Sequence, residues 1–391
     1  MKDYHLLLAC DKHYLPYMFV ACQSIINGIK NSARGINNDE RIVFNMVIDS
    51  SVNKNYTYEG VVSFVKSFCN RNSFINTLFH FYNADEEEFE EARGWGDHQT
   101  KSTFYRLLID RFLPKDINQI LYIDIDVLIL GDVRELLEKP MNNAVLGSVY
   151  NPISWRPDYK EGKLYLKPLT NKNKTTIINE TEYFNAGVLL INMKQWRKQG
   201  IGHKAVEFIN QYNPLVADQD ALNAVTKDNI NLDWSWNFQT WMFYVDKSSF
   251  RESGGNIRCT AADVQHFTCN YIDLDSLQKG LEGCKLIHYT YCKPWKEAPF
   301  ISNSKSHLLF NEQVLKSLQM WQELARQTPE CIGVHIPNTT NTSVLGDIAN
   351  HTAIKLTKEL EQIKYKRRKQ NKIIISAIGV LFVLQIISIF F

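Results

Sequence analysis

Residues 120–130, which read Ile-Leu-Tyr-Ile-Asp-Ile-Asp-Val-Leu-Ile-Leu, constrain this chain more than any other segment. A run this rich in Ile and Leu predicts one buried strand. Its carboxylates, Asp124 and Asp126, are costly to bury unless something pairs with them. In an extended segment positions i and i+2 point to the same side, so this Asp-x-Asp (DxD) motif can place both carboxylates on one hard cation. The alternative is a strand end whose Asp residues cap the turn at Gly131 and Asp132.

Strand and helix signals alternate along the first part of the chain. Apolar runs and helical spacings follow each other as strand 6–10, helix 17–29, strand 42–48, helix 61–68, strand 78–81, helix 103–112, strand 120–130, strand 145–150 and, further on, strand 184–192. This order predicts an α/β fold with a mostly parallel central sheet and helices on both faces. Ligands of such folds bind at the carboxyl ends of the strands.

The chain divides into three predicted segments. Residues 1–300 form the predicted main domain, within which residues 151–182 lose all periodicity and predict a loop or lid that meets the acceptor. Residues 301–372 predict a helical C-terminal extension with a basic neck. Residues 373–391 contain no charged side chain and directly follow that neck, so they predict one transmembrane helix. The positive-inside rule then predicts a single-pass C-terminal anchor that holds the protein on the cytoplasmic face of the inner membrane.

Composition narrows the function. The net charge of +2 over 391 residues gives no reason to expect nucleic acid as a partner. The eight cysteines show neither a CxxC pair nor zinc-ligand spacing, so they are interpreted as reduced thiols.

Five segments occur in an order that is specific when they are taken together. They are Ala9-Cys-Asp-Lys-His-Tyr14, Ser102-Thr-Phe-Tyr-Arg-Leu107, Leu121-Tyr-Ile-Asp-Ile-Asp126, Tyr183-Phe-Asn-Ala-Gly-Val-Leu-Leu-Ile-Asn192 and His288-Tyr-Thr-Tyr-Cys-Lys-Pro-Trp295. In this order they resemble the retaining glycosyltransferases of family 8, which include bacterial lipopolysaccharide galactosyl- and glucosyltransferases and glycogenin. The resemblance implies a Rossmann-like nucleotide-diphospho-sugar transferase fold of the GT-A type.

The resemblance also implies a donor site for a UDP-sugar. The donor-binding residues that it assigns are Ala9, Cys10, Asp11, His13, Tyr14, Arg106, Asp124, Ile125, Asn185, Ala186, Asp218, Gln219 and Lys293. Asp11 would meet the edge of the base and Tyr14 would stack on it. The Arg106 guanidinium suits a diphosphate or sugar hydroxyls. Structural roles stay open, because Asp11 could cap a helix and Arg106 could be an ordinary surface arginine.

A metal site follows from the same resemblance. It implies that His288 is the third ligand beside Asp124 and Asp126. Two carboxylates, one imidazole and phosphate oxygens suit Mn²⁺ better than Zn²⁺, with Mg²⁺ as the alternative. Lys293 would meet the departing phosphate.

Residues around the reacting sugar are implied in the same way. Asp218 matches the sugar-binding Asp of the family and Gln219 matches the residue closest to the anomeric carbon, while His98 would face the sugar or acceptor cleft. Retention of configuration leaves two routes open. One is front-face attack while UDP departs, and the other is a transient covalent adduct on Gln219 or Asp220.

The sequence thus predicts a metal-dependent retaining hexosyltransferase. It would move galactose or glucose from a UDP-sugar to a glycan or lipid-linked saccharide acceptor, in surface polysaccharide or lipopolysaccharide assembly. One alternative is a membrane-anchored nucleotide-sugar-binding module that has lost activity. The other is an aspartate-dependent phosphatase, which needs a second acidic pair and a lysine at later strand ends.

Overall fold

Strands and helices alternate along most of the described chain. The structure is a computed structural model, and the residues that it describes are 1–11, 13–49, 58–84, 101–154, 156–169, 175–212, 214–246, 257–262, 265–269, 273–290, 292–296 and 311–337. The strands are β1 Lys2–Cys10, β2 Glu40–Asp49, β3 Asn76–Ala84, β4 Gln119–Ile123, β5 Val127–Ile129, β6 Leu146–Tyr150, β7 Tyr159–Lys160, β8 Lys163–Leu166, β9 Thr176–Asn179, β10 Phe184–Asn192, β11 Ile230–Asn231, β12 Phe238–Gln239, β13 Val245–Asp246, β14 Ile257–Ala262, β15 Gln265–Cys269 and β16 Leu286–His288.

The described helices lie between these strands and after them. The α-helices are α1 Leu15–Lys30, α2 Tyr58–Arg71, α3 Ile109–Phe112, α4 Arg134–Leu137, α5 Met193–Gln199, α6 Ile201–Tyr212, α7 Ala217–Val225, α8 Leu274–Glu282 and α9 Glu312–Gln327. Short 3₁₀ helices span Lys101–Leu108, Glu180–Glu182, Trp234–Asn237, Thr240–Tyr244 and Pro329–Cys331.

A seven-stranded sheet in the order β11-β6-β10-β4-β1-β2-β3 carries the core. Strand β10 is antiparallel to its neighbours β4 and β6, whereas the other neighbouring pairs are parallel. The α/β fold is confirmed, with a mixed sheet. Because β10 is reversed, its first residues lie at the same edge as the carboxyl ends of β1 and β4. Residues 184–191 are all buried, as expected of a strand covered on both faces.

The single strand predicted over residues 120–130 is wrong. Strand β4 ends at Ile123 and belongs to the large sheet, while β5 begins at Val127 and pairs antiparallel with β16 in a second sheet. The backbone N–H of Asp124 donates to the carbonyl of Gly187 at 2.8 Å as the chain leaves the first sheet. The DxD motif therefore occupies the gap between two sheets. Both flanks are equally apolar, so periodicity could not reveal this break.

The segment 151–182 has regular structure of its own. It joins the antiparallel strands β6 and β10 and contains the three-stranded sheet β7-β8-β9. Leu164, Leu166 and Ile178 alternate with more exposed residues and are buried in the main hydrophobic core. A role as acceptor lid stays a prediction, but its described part is firmly attached to the core.

Helix α9 contacts α1 and the residue that follows β16. The ring of Trp321 lies 5.7 Å from that of Tyr17 in α1, and the hydroxyl of Tyr289 donates to the carbonyl of Ser317 at 2.6 Å. Residues Met1–Asn338 form one compact unit. The predicted division at residue 300 stays a prediction.

The predicted transmembrane helix is wrong. Among the residues described above, no helix is both long and apolar enough to cross a membrane. The longest of them, α1 and α9, have 16 residues each. They reach about 24 Å at 1.5 Å per residue, short of the roughly 30 Å of a hydrocarbon core. Residues 338–391, which include the predicted span 373–391, lie outside the described residues, as does His98. The predictions of a single-pass anchor, of a membrane as a partner and of a location on the cytoplasmic face of the inner membrane are therefore wrong as well.

Candidate active site

Three potential metal ligands converge where the two sheets meet. One ligand atom from each of Asp124, Asp126 and His288 lies within 4.8 Å of the other two. His288 Nε2 is 3.7 Å from Asp124 Oδ2 and 3.4 Å from Asp126 Oδ1. The two Asp residues come from the β4–β5 gap, and His288 ends β16, which pairs with β5 so that His288 faces Val127. The predicted set of ligands is therefore brought together in space.

Each carboxylate has one oxygen engaged by the protein and the other turned towards His288. Asp124 Oδ1 accepts a hydrogen bond from the Tyr122 hydroxyl at 2.6 Å and lies 2.9 Å from Arg106. Asp126 Oδ2 accepts from the Lys293 ammonium. The remaining oxygens, Asp124 Oδ2 and Asp126 Oδ1, face the imidazole. Two oxygens and one nitrogen at these separations fit a hard or borderline divalent cation that keeps open positions for other ligands.

Nearby charges lower the pKa of Asp126. Burial alone would raise the pKa of Asp126, but the Lys293 ammonium and the neighbouring His288 lower it below its usual range. For Lys293, burial lowers the pKa, and the negative charge of Asp126 outweighs that effect and raises it. The Lys293 side chain is still 34% exposed, so its ammonium can reach a ligand from the Asp126 side of the cluster.

Gly187 leaves room for the cluster. A Cβ atom placed on it would lie 2.2 Å from His288 Cε1, 2.7 Å from Asp124 Oδ2 and 3.0 Å from Asn185 Oδ1. These separations are far shorter than ordinary contacts of about 3.5–4.0 Å between carbon atoms. The glycine in the segment Phe-Asn-Ala-Gly is therefore required by a close approach of side chains.

Arg106 bridges the cluster to Asp218. Its guanidinium stacks on the Tyr122 ring at 4.3 Å, donates to the carbonyl of Ala186 at 2.5 Å and places Nε 3.0 Å from Asp218 Oδ2. That last contact is ionic, because Asp218 Oδ2 is buried and has no hydrogen-bond partner among the described residues. Burial raises the pKa of Asp218 to about 6, against the opposing effect of the Arg106 charge. The alternative of a surface arginine is wrong, since Arg106 is only 7% exposed.

Gln219 and Asp220 are held by different partners. The Gln219 amide oxygen accepts from Ala186 N at 3.0 Å and Asn185 Nδ2 at 3.2 Å, and its Nε2 donates to the Tyr183 hydroxyl at 3.1 Å. Asp220 is fully buried. It accepts from Tyr183 at 2.5 Å and Arg156 at 2.6 Å on one oxygen, and from the backbone N–H of residue 216 on the other. Its charge is thus compensated inside the protein.

The backbone in front of these two residues is strained. Ala217, the first residue of α7, has a φ of 34°, which is uncommon for a residue with a side chain. Such strain tends to collect at functional sites, where the surrounding structure enforces it. Here it directs the first turn of α7, with Asp218 and Gln219, towards the first residues of β10.

The segment predicted to hold uridine lies beside the Lys293 loop. Ala9 and Cys10 end β1, next to β4 in the sheet. Asp11 Oδ1 accepts from the backbone N–H of His13 at 2.9 Å, while within the described part of the chain its buried Oδ2 has no hydrogen-bond partner. The Tyr14 ring lies 5.5 Å from that of Trp295, two residues beyond Lys293.

His13 and Ile125 are the remaining residues of the predicted donor site. The His13 side chain is exposed, and Ile125 is half-buried between the two Asp ligands. The structure thus gathers Arg106, Asn185, Ala186, Asp218, Gln219 and Lys293 around the cluster. The backbone N–H of His13 donates to Asp11, and the Asp220 carboxylate points to the protein interior.

Sequence reasoning missed several residues of the site. Tyr122 could have been found, because it precedes Asp124 by two positions and so shares its side of the strand. Arg156 lies in the segment without periodicity and gave no signal, yet its side chain is fully buried against Asp220 and Asp158. Asn237 follows an aromatic run and contacts both Asn185 and His288 at 2.9 Å.

The chain belongs to Glycosyl transferase family 8, whose sequence profile matches residues 5–298. The resemblance drawn from the five segments is confirmed. The chain is 31% identical over 168 residues to General stress protein A of Bacillus subtilis, covering 41% of this chain and 54% of that protein. It is 25% identical over 204 residues to the lipopolysaccharide 1,3-galactosyltransferase of Salmonella typhimurium, covering 50% of each. It therefore spans about half the length of these relatives.

A solved structure shows the same fold. The galactosyltransferase LgtC, crystallised with donor and acceptor sugar analogs, superposes with a TM-score of 0.52 over 87% of this chain and 98% of that chain, at 19% identity. This likeness confirms the GT-A type of α/β fold.

Proposed function

We propose that the protein is a metal-dependent retaining hexosyltransferase that uses a UDP-sugar and an acceptor glycan hydroxyl. The observation that carries the proposal is the convergence of Asp124, Asp126 and His288 next to Lys293. The similarity to a lipopolysaccharide galactosyltransferase supports galactose or glucose as the sugar and a surface glycan or glycolipid as the acceptor. Mn²⁺ is the proposed cation and Mg²⁺ the alternative.

The charges of the site favour an added cation. Arg106 and Lys293 face three carboxylates, those of Asp124, Asp126 and Asp218. A nucleoside diphosphate would add further negative charge to this cluster. A bound divalent metal would supply the missing positive charge and stabilise the leaving diphosphate as a Lewis acid. Lys293, which is partly exposed, would donate a hydrogen bond to the same leaving group.

The contacts of α7 favour front-face attack over a covalent adduct. An adduct on Asp220 would require a fully buried carboxylate to leave Arg156 and Tyr183, which is costly because it breaks a buried ion pair. An adduct on Gln219 would require its amide oxygen to give up two donors. Gln219 is better suited to orient the sugar through this fixed amide, while Asp218 accepts hydrogen bonds from the sugar hydroxyls.

The experiment measures UDP release from UDP-glucose and UDP-galactose with Mn²⁺ and with EDTA, together with the anomeric configuration of the product by NMR. We expect Mn²⁺-dependent release, an α product, and a loss of about 100-fold or more in Asp126→Ala. The control is Asp116→Ala, which removes an exposed carboxylate and should leave the rate unchanged. An Asp126→Ala variant with wild-type turnover and the same Mn²⁺ dependence would contradict the proposal.

The inactive binding module is the second candidate. It predicts that the wild-type protein binds UDP-sugar in the presence of Mn²⁺ yet releases no UDP with any donor or acceptor. The retention of Asp124, Asp126 and His288 in a convergent arrangement favours the enzyme.

A further inference from the structure

Hydrogen bonds between side chains connect His288 to the residues assigned to the donor sugar. Asn237 Nδ2 donates to Asn185 Oδ1 at 2.9 Å, and Asn237 Oδ1 lies 2.9 Å from His288 Nδ1. Asn185 Nδ2 in turn donates to Gln219 Oε1 at 3.2 Å. Asn237 is completely buried, so these are contacts that water does not replace.

Backbone groups fix the orientation of two of these amides. The N–H of Gly187 lies 2.9 Å from Asn185 Oδ1, and the N–H of Ala186 lies 3.0 Å from Gln219 Oε1. A backbone N–H can only donate, so each of these side-chain atoms must be an oxygen. Neither Asn185 nor Gln219 can be turned over without losing the hydrogen bond from its backbone donor.

The orientation of Asn185 determines the tautomer of His288. Because Asn185 Oδ1 can only accept, Asn237 must present its NH₂ group to it. The oxygen of Asn237 then faces His288 Nδ1, and since an amide oxygen can only accept, the neutral imidazole carries its proton on Nδ1. The other nitrogen, Nε2, keeps its lone pair and faces Asp124 and Asp126. That is the form of histidine that can bind a metal through Nε2.

We propose that Asn237 is a positioning residue that sets the metal-binding tautomer of His288 and links the metal site to Asn185. This inference rests on the proposed function, because it treats His288 as a metal ligand and Asn185 as a contact of the donor sugar. Hydrogen-bonded partners of this kind orient metal-bound histidines in other proteins and typically change metal affinity by about 10- to 100-fold.

The fold explains how Asn237 reaches this place. It ends the 3₁₀ helix Trp234–Asn237, whose first turn is capped by the Asp233 side chain. The next residues form β12, which pairs parallel with β16 so that Gln239 faces His288. Sheet pairing therefore delivers Asn237 to the Nδ1 side of the ring, opposite the carboxylates.

Two substitutions at Asn237 separate the two contacts. Asn237→Ala removes both, and Mn²⁺ affinity should fall by about 10- to 100-fold. Asn237→Asp keeps an acceptor for the Nδ1 proton but has no donor for Asn185. Mn²⁺ should then bind no more weakly than to the wild type. The preference for UDP-hexose over UDP should fall by about fivefold, the value of one hydrogen bond of about 1 kcal/mol.

Tyr183→Phe is the matched control for general loosening of the buried network. It removes the hydroxyl that accepts from Gln219 and donates to Asp220, but leaves the backbone donors to Asn185 and Gln219 in place. Mn²⁺ affinity should therefore stay at the wild-type value. Titration calorimetry with Mn²⁺ alone measures the Mn²⁺ affinity of the wild type and of the three variants, and thermal melts confirm that each protein is folded.

Nitrogen NMR tests the tautomer directly and needs no variant that might fail to fold. The metal-free wild-type protein is labelled with ¹⁵N-histidine, and the His288 signal is assigned by its loss in His288→Asn. We expect the proton on Nδ1. A proton on Nε2, an Asn237→Ala variant that binds Mn²⁺ like the wild type, or equal loss of Mn²⁺ affinity in Asn237→Asp and Asn237→Ala would overturn the inference. Absence of UDP release with an Nδ1 proton intact would instead refute the proposed function alone.

Discussion

Gly187→Ala should disable the metal site although Gly187 is not a ligand. The new methyl carbon would start 2.2 Å from His288 Cε1 and 2.7 Å from Asp124 Oδ2. The ring must retreat by about 1.3 Å to reach the shortest ordinary carbon–carbon contact of about 3.5 Å. Coordination tolerates deviations of only about 0.2 Å in ligand distances. The substitution therefore displaces one ligand by several times that tolerance, and the carboxylate of a second must move as well.

The expected loss of Mn²⁺ affinity is at least about 100-fold, the upper end of what disturbing a ligand's surroundings causes. UDP release should fall with it. Overpacking should also cost about 1–3 kcal/mol of stability. Titration calorimetry with Mn²⁺ and a urea unfolding curve measure the two effects separately.

Gly147→Ala is the control. Gly147 lies in β6 of the same sheet, and a Cβ there would meet Ile230 and Leu232 at 3.2 Å and Leu190 at 3.3 Å. It should lower stability while leaving Mn²⁺ affinity unchanged. A folded Gly187→Ala protein that binds Mn²⁺ as tightly as the Gly147→Ala protein would refute the reasoning.

Two further predictions follow from buried charges. Arg156→Ala should lower the free energy of unfolding by about 3–5 kcal/mol, because it leaves Asp220 buried without its partner. The control Lys160→Ala, at an exposed position, should change it by less than about 0.5 kcal/mol. Equal urea midpoints for the two variants would contradict this prediction. Asp218, whose pKa is raised to about 6, contributes stability when protonated that is lost as pH rises from about 4 through 6. In EDTA, the difference in unfolding free energy between Asp218→Asn and the wild type should therefore shift in favour of the variant by about 2 kcal/mol between pH 4 and pH 7. A pH-independent difference would show that the carboxyl of Asp218 is not perturbed.

Local signals were sufficient for the candidate ligands Asp124 and Asp126 and for most strands of the large sheet. Asp124 and Asp126 stand out because carboxylates are rare in an apolar run, and that signal needs no tertiary information. The break between β4 and β5 could not be predicted, since Ile123 and Val127 are equally suited to either sheet. The strands of segment 151–182 are short, and their burial depends on a core built by distant residues such as Leu189.

For the C-terminal tail, composition led to a prediction that is wrong. Residues 373–391, which lie outside the described residues, have the composition of a membrane span. No helix among the described residues is long and apolar enough to cross a membrane. Composition reports how a segment would partition between water and lipid, and it does not establish which structure the segment adopts.

Taken alone, the sequence determined the fold class, the family and the metal-ligand candidates, because these depend on periodicity and on a few residues at fixed spacing. Tertiary structure decided which groups surround them. Arg156 and Asn237 are ordinary residues in the sequence, and each matters through a partner at least 50 positions away. Gly187 lies in one of the five segments, but only the structure shows which side chains fill the space beside it. Pairing of β5 and β12 with β16 brings Asp126 and Asn237 to His288, and sheet pairing between distant segments is not encoded in any local pattern.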